Sequence, residues 1–264
     1  MTEEELFLVD GMKWSFSRLN SFHNCKYAWY EQYMNCNRGI GNFFASYGSF
    51  MHKILEMYEK EELSLFELPM YYEEHFCEEV PEDAPPNKYV DIKQSYYEKG
   101  LDYLNDISLI LEDYEILGVE KEVHFKILDC DCIGYIDLLL KDKKTSEIII
   151  LDHKSASLKF KKNGEVSKTD AAHFQEFKYQ LYLYADAVIK EYGKVDFLEW
   201  NMFRDQKHVK IPFKQEEYEE AIKWAEDTLK EIREEELWFP NPESQYYCMY
   251  ICNQRNCCPY KARY

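Results

Sequence analysis

Gly134-Tyr135-Ile136-Asp137 and, fifteen positions beyond that aspartate, Asp152-His153-Lys154 frame a stretch that can fold in few ways. Ile133 to Leu140 (IGYIDLLL) and Glu147 to Leu151 (EIIIL) are rich in large apolar residues, and the polar run Lys141 to Ser146 between them reads as a turn. The pair predicts an antiparallel hairpin. Side chains alternate along a strand, so Asp152 and Lys154 share one face while His153 points to the other. Asp137 on the neighbouring strand can then meet Asp152. Two carboxylates on adjacent strands suit a hard divalent ion such as Mg²⁺, which completes its shell with water and phosphate oxygens. A lysine beside them can position or help deprotonate a water, so the trio points to metal-assisted phosphodiester cleavage. Asp-x-Lys is a common tripeptide, and a surface hairpin with scattered charges is the plain alternative.

Other residues add to the trio. Ala171 to Glu191 reads as a helix, and the spacing of four between Gln180 and Tyr184 puts both on one face of it. Tyr47 to Lys60 reads as another helix, opened by Gly48-Ser49-Phe50-Met51-His52, with His52 near its start as a ligand, a cap or a packing residue. Glu120, between Val119 and Lys121 at the start of an expected strand, is a further candidate carboxylate of lower weight.

The order of these pieces resembles the RecB-like branch of the PD-(D/E)XK nuclease superfamily: a Gly-x-x-x-His helix, a Glu-bearing strand, Gly-x-x-Asp, Asp-x-Lys, then Gln-x-x-x-Tyr. The resemblance runs from His52 through Tyr184. It implies an α/β (α+β) restriction-endonuclease-like core, a mixed central sheet of about four or five strands flanked by helices. It also implies roles for residues at the matching positions. His52, Asp137 and Asp152 would bind Mg²⁺ or Mn²⁺, with the His153 backbone carbonyl as a further ligand. Lys154 would be the catalytic lysine, and Gln180 and Tyr184 would support it.

The nine cysteines are Cys25, Cys36, Cys77, Cys130, Cys132, Cys248, Cys252, Cys257 and Cys258. An odd number with no signal peptide argues against a secreted disulfide scaffold. Four crowd into the last seventeen residues, and thiolates at such spacing suit zinc or an iron–sulfur cluster. Three ligands there need a fourth. Trp14 to Tyr33 reads as a capped amphipathic helix with Ser17 as its N-cap, and it carries Cys25. This segment looks like the Ser-x-Ser-x-Leu…Cys opening of AddB-type and CRISPR-adaptation nucleases with a [4Fe–4S] cluster. In that family a distant N-terminal cysteine joins a C-terminal trio and clasps the chain ends. The resemblance assigns Cys25, Cys248, Cys252 and Cys258, with Cys257 as alternate. The trio departs from the usual C-x2-C-x5-C, because three residues separate Cys248 from Cys252. Cys130, Cys132, Cys36 and Cys77 are expected to pack rather than ligate.

No Gly/Ser/Pro-rich linker divides the 264 residues, so one nuclease domain is expected over 1–264. Within it a helical insertion is expected at about 53–118, broken by the Pro81–Asn87 loop. The catalytic core should span about 119–212, and the C-terminal helix and cysteine cluster about 214–264. Aromatic residues make up 17%, ample for a large core. No apolar run approaches a membrane span and the Met-Thr-Glu-Glu-Glu start is unlike a signal peptide, so a cytoplasmic, reducing location with no membrane partner is expected.

The net charge of −18 has the wrong sign for unspecific attraction to DNA. Acid is concentrated in Gln215-Glu-Glu-Tyr-Glu-Glu and Glu234-Glu-Glu, read as solvated helix faces. Between Lys141 and Lys168 eight lysines face four acids, and Lys159, Lys161, Lys162 and Lys168 form a loop beyond Lys154 placed to hold DNA. Phe174, Phe177, Tyr179 and Tyr182 are candidate stacking residues for single-stranded bases. The expected activity is a metal-dependent DNA exonuclease for ends in recombination, repair or phage replication, with helicase or recombination proteins as partners. A DNA-binding scaffold subunit with little cleavage is the first alternative, and a zinc-stabilised interaction protein the second.

Overall fold

In the computed structural model the run Ile148 to Leu151 is buried on both faces, which places it at the centre of a sheet. The described residues are 2–107, 111–162, 164–240 and 245–260. Six helices come first: α1 (Glu3–Asp10), α2 (Phe16–Asn24), α3 (Lys26–Tyr33), α4 (Phe43–Glu59), α5 (Leu68–Glu79) and α6 (Ile92–Asn105). Then follow strands β1 (Tyr114–Ile127), β2 (Cys130–Asp142) and β3 (Ile148–His153), helix α7 (Ala171–Tyr192), strands β4 (Phe197–Met202) and β5 (Lys207–Pro212), and helix α8 (Gln215–Glu234).

The five strands lie in chain order, β1-β2-β3-β4-β5, antiparallel except for the parallel pair β3 and β4. A parallel pair needs a crossover, and α7 supplies it. Alternation along β3 divides the core. Ile148 and Ile150 join the cluster with α2, α7 and α8, while Ile149 and Leu151 pack with Leu138 and Leu140 on the opposite face. A separate aromatic core, including Phe50, Tyr72, Phe76 and Tyr103, binds α4, α5 and α6 together. This is the mixed, helix-flanked sheet of a restriction-endonuclease-like fold.

The expected hairpin forms, with Leu138 opposite Leu151 and a turn after Asp142 held by the Asp142 carboxylate accepting from the Lys144 and Thr145 amides. The expected helical insertion ends early. Strand β1 begins at Tyr114, inside the span read as helical, because its pairing with β2 outweighs local preference. The single helix expected over Trp14 to Tyr33 is two. Ser15, not Ser17, caps α2, accepting from the Arg18 amide at 3.2 Å. The chain breaks at Cys25, whose extended backbone ends α2 and whose sulfur caps α3. His52 lies mid-helix rather than near a start, because Asn42 caps α4 well upstream. Among the described residues no helix is long and apolar enough to cross a membrane.

Candidate functional site

Just past the paired Leu138 and Leu151, Asp137 and Asp152 stand at the open end of the hairpin, both buried. Asp137 Oδ2 accepts from the His153 amide at 2.7 Å and lies 3.4 Å from His52 Nδ1 on α4. Glu120 enters from β1 between the pairs Val119–Leu138 and Lys121–Ile136, with a left-handed backbone (φ 47°) just after the irregular register at Ile116/Gly118. Donor atoms of His52, Glu120 and Asp137 all lie within 4.8 Å of one another. Glu120 therefore carries more weight than the sequence allowed it. Asp152 takes a different part: its Oδ2 lies 2.7 Å from Lys154 Nζ, and its Oδ1 accepts from Gln180 Nε2 at 3.1 Å.

The electrostatics are those of a cation hole. Burial, then the charge of Asp152, pushes Asp137 up to about 7. Burial, then Asp137 and the other acids around it, pushes Glu120 up to about 7. Burial pulls His52 down to about 4, helped by repulsion from His153, so its ring is neutral and can donate a lone pair. Two acids reluctant to ionise beside a neutral imidazole fit a divalent ion, whose charge would remove the repulsion.

Gln180 works both ways on α7: its amide donates to Asp152 and its Oε1 accepts from Lys154 Nζ at 2.8 Å. The ammonium also sits 5.1 Å above the Phe177 ring. Tyr184, one turn on, is buried, and burial followed by the nearby Asp152 charge raises its hydroxyl's pKa. Its ring lies where a side chain at Gly134 would be, since a Cβ there would come 2.2 Å from Tyr184 Cε1. The Gly-x-x-Asp spacing thus leaves room for the tyrosine.

Sequence reasoning missed the support behind this cluster. His153 faces away from the acids, as alternation requires, and its Nε2 meets Glu59 of α4 at 2.7 Å in a fully buried pair. Its Nδ1 lies 3.0 Å from the Asn201 amide of β4, which also donates to the Tyr103 hydroxyl. Burial works against a proton on His153, yet the Glu59 carboxylate, joined by the charges of Asp137 and Asp152, outweighs it and moves the pKa up to about 8. Glu59 lies seven residues, two turns, after His52, and that interval was the available signal. Glu59→Ala should destabilise the fold by about 3 kcal/mol, since it strands a buried partner. A urea melt of Glu59→Ala against Glu59→Gln checks this, and equal midpoints for alanine and wild type would refute it.

The terminal cysteines gather separately. Cys25, Cys248, Cys252 and Cys258 line one enclosed cavity with Tyr27, Pro240, Arg255 and Tyr260. Cys257 is turned outward, its thiol donating to Gln254 Oε1 at 3.1 Å and its sulfur facing the Asn37 amide. Burial, then the neighbouring thiols, pushes Cys252 up to about 11 and also raises Cys248. Four thiols around one cavity are a fitting ligand set for a cationic centre. The tail is tied to the segment before α4: Ile40 N donates to Asn253 O at 2.9 Å, Asn42 to Ile251 O, and Arg255 to the Ile40 and Gly41 carbonyls. Gly39 (φ 68°) permits that contact, because a Cβ there would lie 2.2 Å from Asn253 O. Of the cysteines expected to pack, Cys130 and Cys132 are buried, whereas Cys36 and Cys77 are exposed.

The sequence profile of the PD-(D/E)XK nuclease superfamily matches residues 13–260, nearly the whole chain. The chain belongs to that superfamily. Two solved structures resemble the nuclease. A candidate exonuclease from Eubacterium rectale is 11% identical with a TM-score of 0.53, matching 100% of this chain and 92% of its own. The protein SSO0001 is 16% identical over 81% of this chain and 96% of its own, at a TM-score of 0.35. The first shares the fold and the second is too distant to argue from. No curated protein matches the chain.

Other expected residues are placed less tightly. In the loop between Lys154 and α7 of the nuclease, Lys161 pairs with Glu165 at 2.8 Å, while Lys159, Lys162 and Lys168 are exposed. The expected stacking aromatics are occupied elsewhere. Phe177 and Tyr182 are buried, Phe174 packs edge-on to Trp200, and Tyr179 stacks on Trp224.

Proposed function

We propose that this nuclease is a divalent-metal-dependent deoxyribonuclease that processes DNA ends, in the RecB-like branch of its superfamily. The observation that carries the reading is the joint reach of His52, Glu120 and Asp137, beside a lysine held by both Asp152 and Gln180. His52, Glu120, Asp137 and Asp152 would hold Mg²⁺ or Mn²⁺, with the His153 carbonyl as a further ligand. When bound, the ion supplies Lewis-acid polarisation of the scissile phosphate and charge stabilisation in the transition state. Lys154 orients the attacking water, its ammonium held in place by donating to Asp152 and Gln180. Gln180 keeps Asp152 and Lys154 in register, and Tyr184 walls the site from solvent. Departure of the 3′-oxygen leaves a 5′-phosphate. Lys159, Lys161, Lys162 and Lys168 supply phosphate contacts beyond the site.

Cys25, Cys248, Cys252 and Cys258 would hold a [4Fe–4S] cluster as a structural clasp of the whole 1–264 domain. The cavity these four cysteines share supports the assignment, and zinc on the same thiols is the alternative that the ligand chemistry allows. A reducing, intracellular setting suits such a centre and the free thiols.

End-labelled single-stranded and duplex DNA, incubated with anaerobically purified protein in Mn²⁺, should be shortened from an end and spared when EDTA is added. Intact substrate from protein that still carries its cluster would overturn the reading. Metal affinity should also climb with pH. Asp137 and Glu120 hold protons up to about 7 and must release them on binding. Apparent affinity should therefore rise up to about tenfold per unit per carboxylate below pH 7 and level off above about 8. Calorimetry in buffers of different ionisation enthalpy reads the released protons, and a flat profile would contradict this ligand set.

A further inference from the structure

Strand β4 supplies no group to the chemistry proposed above, yet its end touches three parts of the candidate site. Asn201 lies beside His153 in the parallel register of β3 and β4 and is wholly buried. Its backbone carbonyl accepts from the Lys154 amide at 2.9 Å. Its side-chain nitrogen meets His153 Nδ1 at 3.0 Å and the Tyr103 hydroxyl of α6 at 2.6 Å. Two residues on, the buried Phe203 packs nearly perpendicular to the His52 ring at 6.3 Å, as His153 does at 5.8 Å. Tyr103 packs on Phe203 at 5.9 Å and so ties the two contacts together.

The His153 ring is therefore gripped at both nitrogens, by Glu59 of α4 and by Asn201 of β4. The backbone behind that ring is what the site depends on. Its amide donates to Asp137 at 2.7 Å, and its two chain neighbours are Asp152 and Lys154. A ring gripped at both ends cannot change rotamer without breaking a buried bond, so the peptide that carries it stays in place. The same ring borders His52, so its position also limits the tilt of that candidate ligand. Outer contacts of this kind orient ligands without touching the metal, and their loss typically costs about 10- to 100-fold in metal affinity or activity. Asn201 meets the ring on the face of β3 turned away from Asp152 and Lys154, so its amide takes no part in the chemistry itself.

We propose that Asn201 is a positioning residue for the nuclease reaction, holding the end of β3 through the His153 ring, and that Tyr103 acts through Asn201. The inference rests on the nuclease reading above and adds to it two buried residues that touch neither metal nor phosphate. The side chain's share is separable from the backbone's, because the bond from the Lys154 amide to the Asn201 carbonyl survives substitution.

The test uses full-length, anaerobically purified protein, with folding of each variant checked by near-ultraviolet circular dichroism. Mn²⁺ affinity is read from the paramagnetic resonance of the free ion, and kcat and KM from cleavage of end-labelled DNA at saturating Mn²⁺. Asn201→Ala should raise the Kd for Mn²⁺ about tenfold and lower kcat about tenfold or more, with KM for DNA changed less than about twofold. Tyr103→Phe removes one hydroxyl and keeps the ring packed, so it should lose about threefold in each. The double variant should be no worse than Asn201→Ala alone, because the hydroxyl acts through the amide. Wild-type Mn²⁺ affinity and kcat in folded Asn201→Ala, or losses that multiply in the double variant, overturn the positioning role. If Asn201→Ala does not fold, Tyr103→Phe decides, and unchanged affinity and kcat there overturn it equally. Wild-type protein that binds Mn²⁺ but cleaves no DNA overturns the nuclease reading, and the Mn²⁺ affinities of the variants then decide the positioning role by themselves.

Discussion

Lys154→Ala is expected to lower kcat for DNA hydrolysis by about 10²–10³-fold while leaving metal binding nearly intact. The ammonium sits at the one point where Asp152, Gln180 and the Phe177 ring converge, with 18% of its side chain exposed. Truncation leaves Asp152 with its bond from Gln180, so the carboxylate keeps a partner and the hairpin keeps its register. The metal-reach group of His52, Glu120 and Asp137 does not include the lysine, so metal affinity should change little. The split between lost turnover and retained metal affinity distinguishes a catalytic lysine from a structural one. Single-turnover cleavage in Mn²⁺ beside a metal titration measures both. Equal rates for variant and wild type would remove Lys154 from the mechanism.

The second large effect concerns the clasp. Cys252→Ser should abolish visible absorbance near 400 nm and lower the melting temperature by about 10 °C or more, because metal-centre binding energy is folding energy. Cys252 is buried in the cavity shared with Cys25, Cys248 and Cys258, and its loss frees a tail that otherwise bonds to residues 37–42. Cys257→Ser is the control. Its sulfur faces Gln254 and Asn37 outside the cavity, so colour and stability should both survive. Colourless wild-type protein that holds zinc would reassign the centre. A Cys257→Ser variant that loses colour would reassign the ligand.

The two sites differ in how they are built. The candidate reaction site is made by neighbouring strands, the crossover helix α7 and His52 of α4, so all its parts but His52 are close by construction. The cysteine cavity joins chain positions more than two hundred residues apart, and the hydrogen bonds from Asn253, Gln254 and Arg255 to residues 32–41 hold those ends in contact.

What was legible in the sequence follows the same division. Asp137, Asp152 and Lys154 could be brought together on paper because a short turn sets a hairpin's register and alternation sets its faces. Gln180 and Tyr184 followed from helical spacing, and the cysteine tail from its crowding. Each of these rests on an interaction between residues near in the chain. The start of β1 at Tyr114, the reach of Glu120 to His52 and Asp137, and the Glu59–His153–Asn201 support were not legible. They depend on pairings between segments separated by tens of residues, where burial and strand pairing override local preference. The break at Cys25 lies between the two cases: its thiol was visible, but its extended backbone was decided by packing between α2 and α3. Local periodicity therefore determined which residues could act, and the tertiary contacts decided which of them meet.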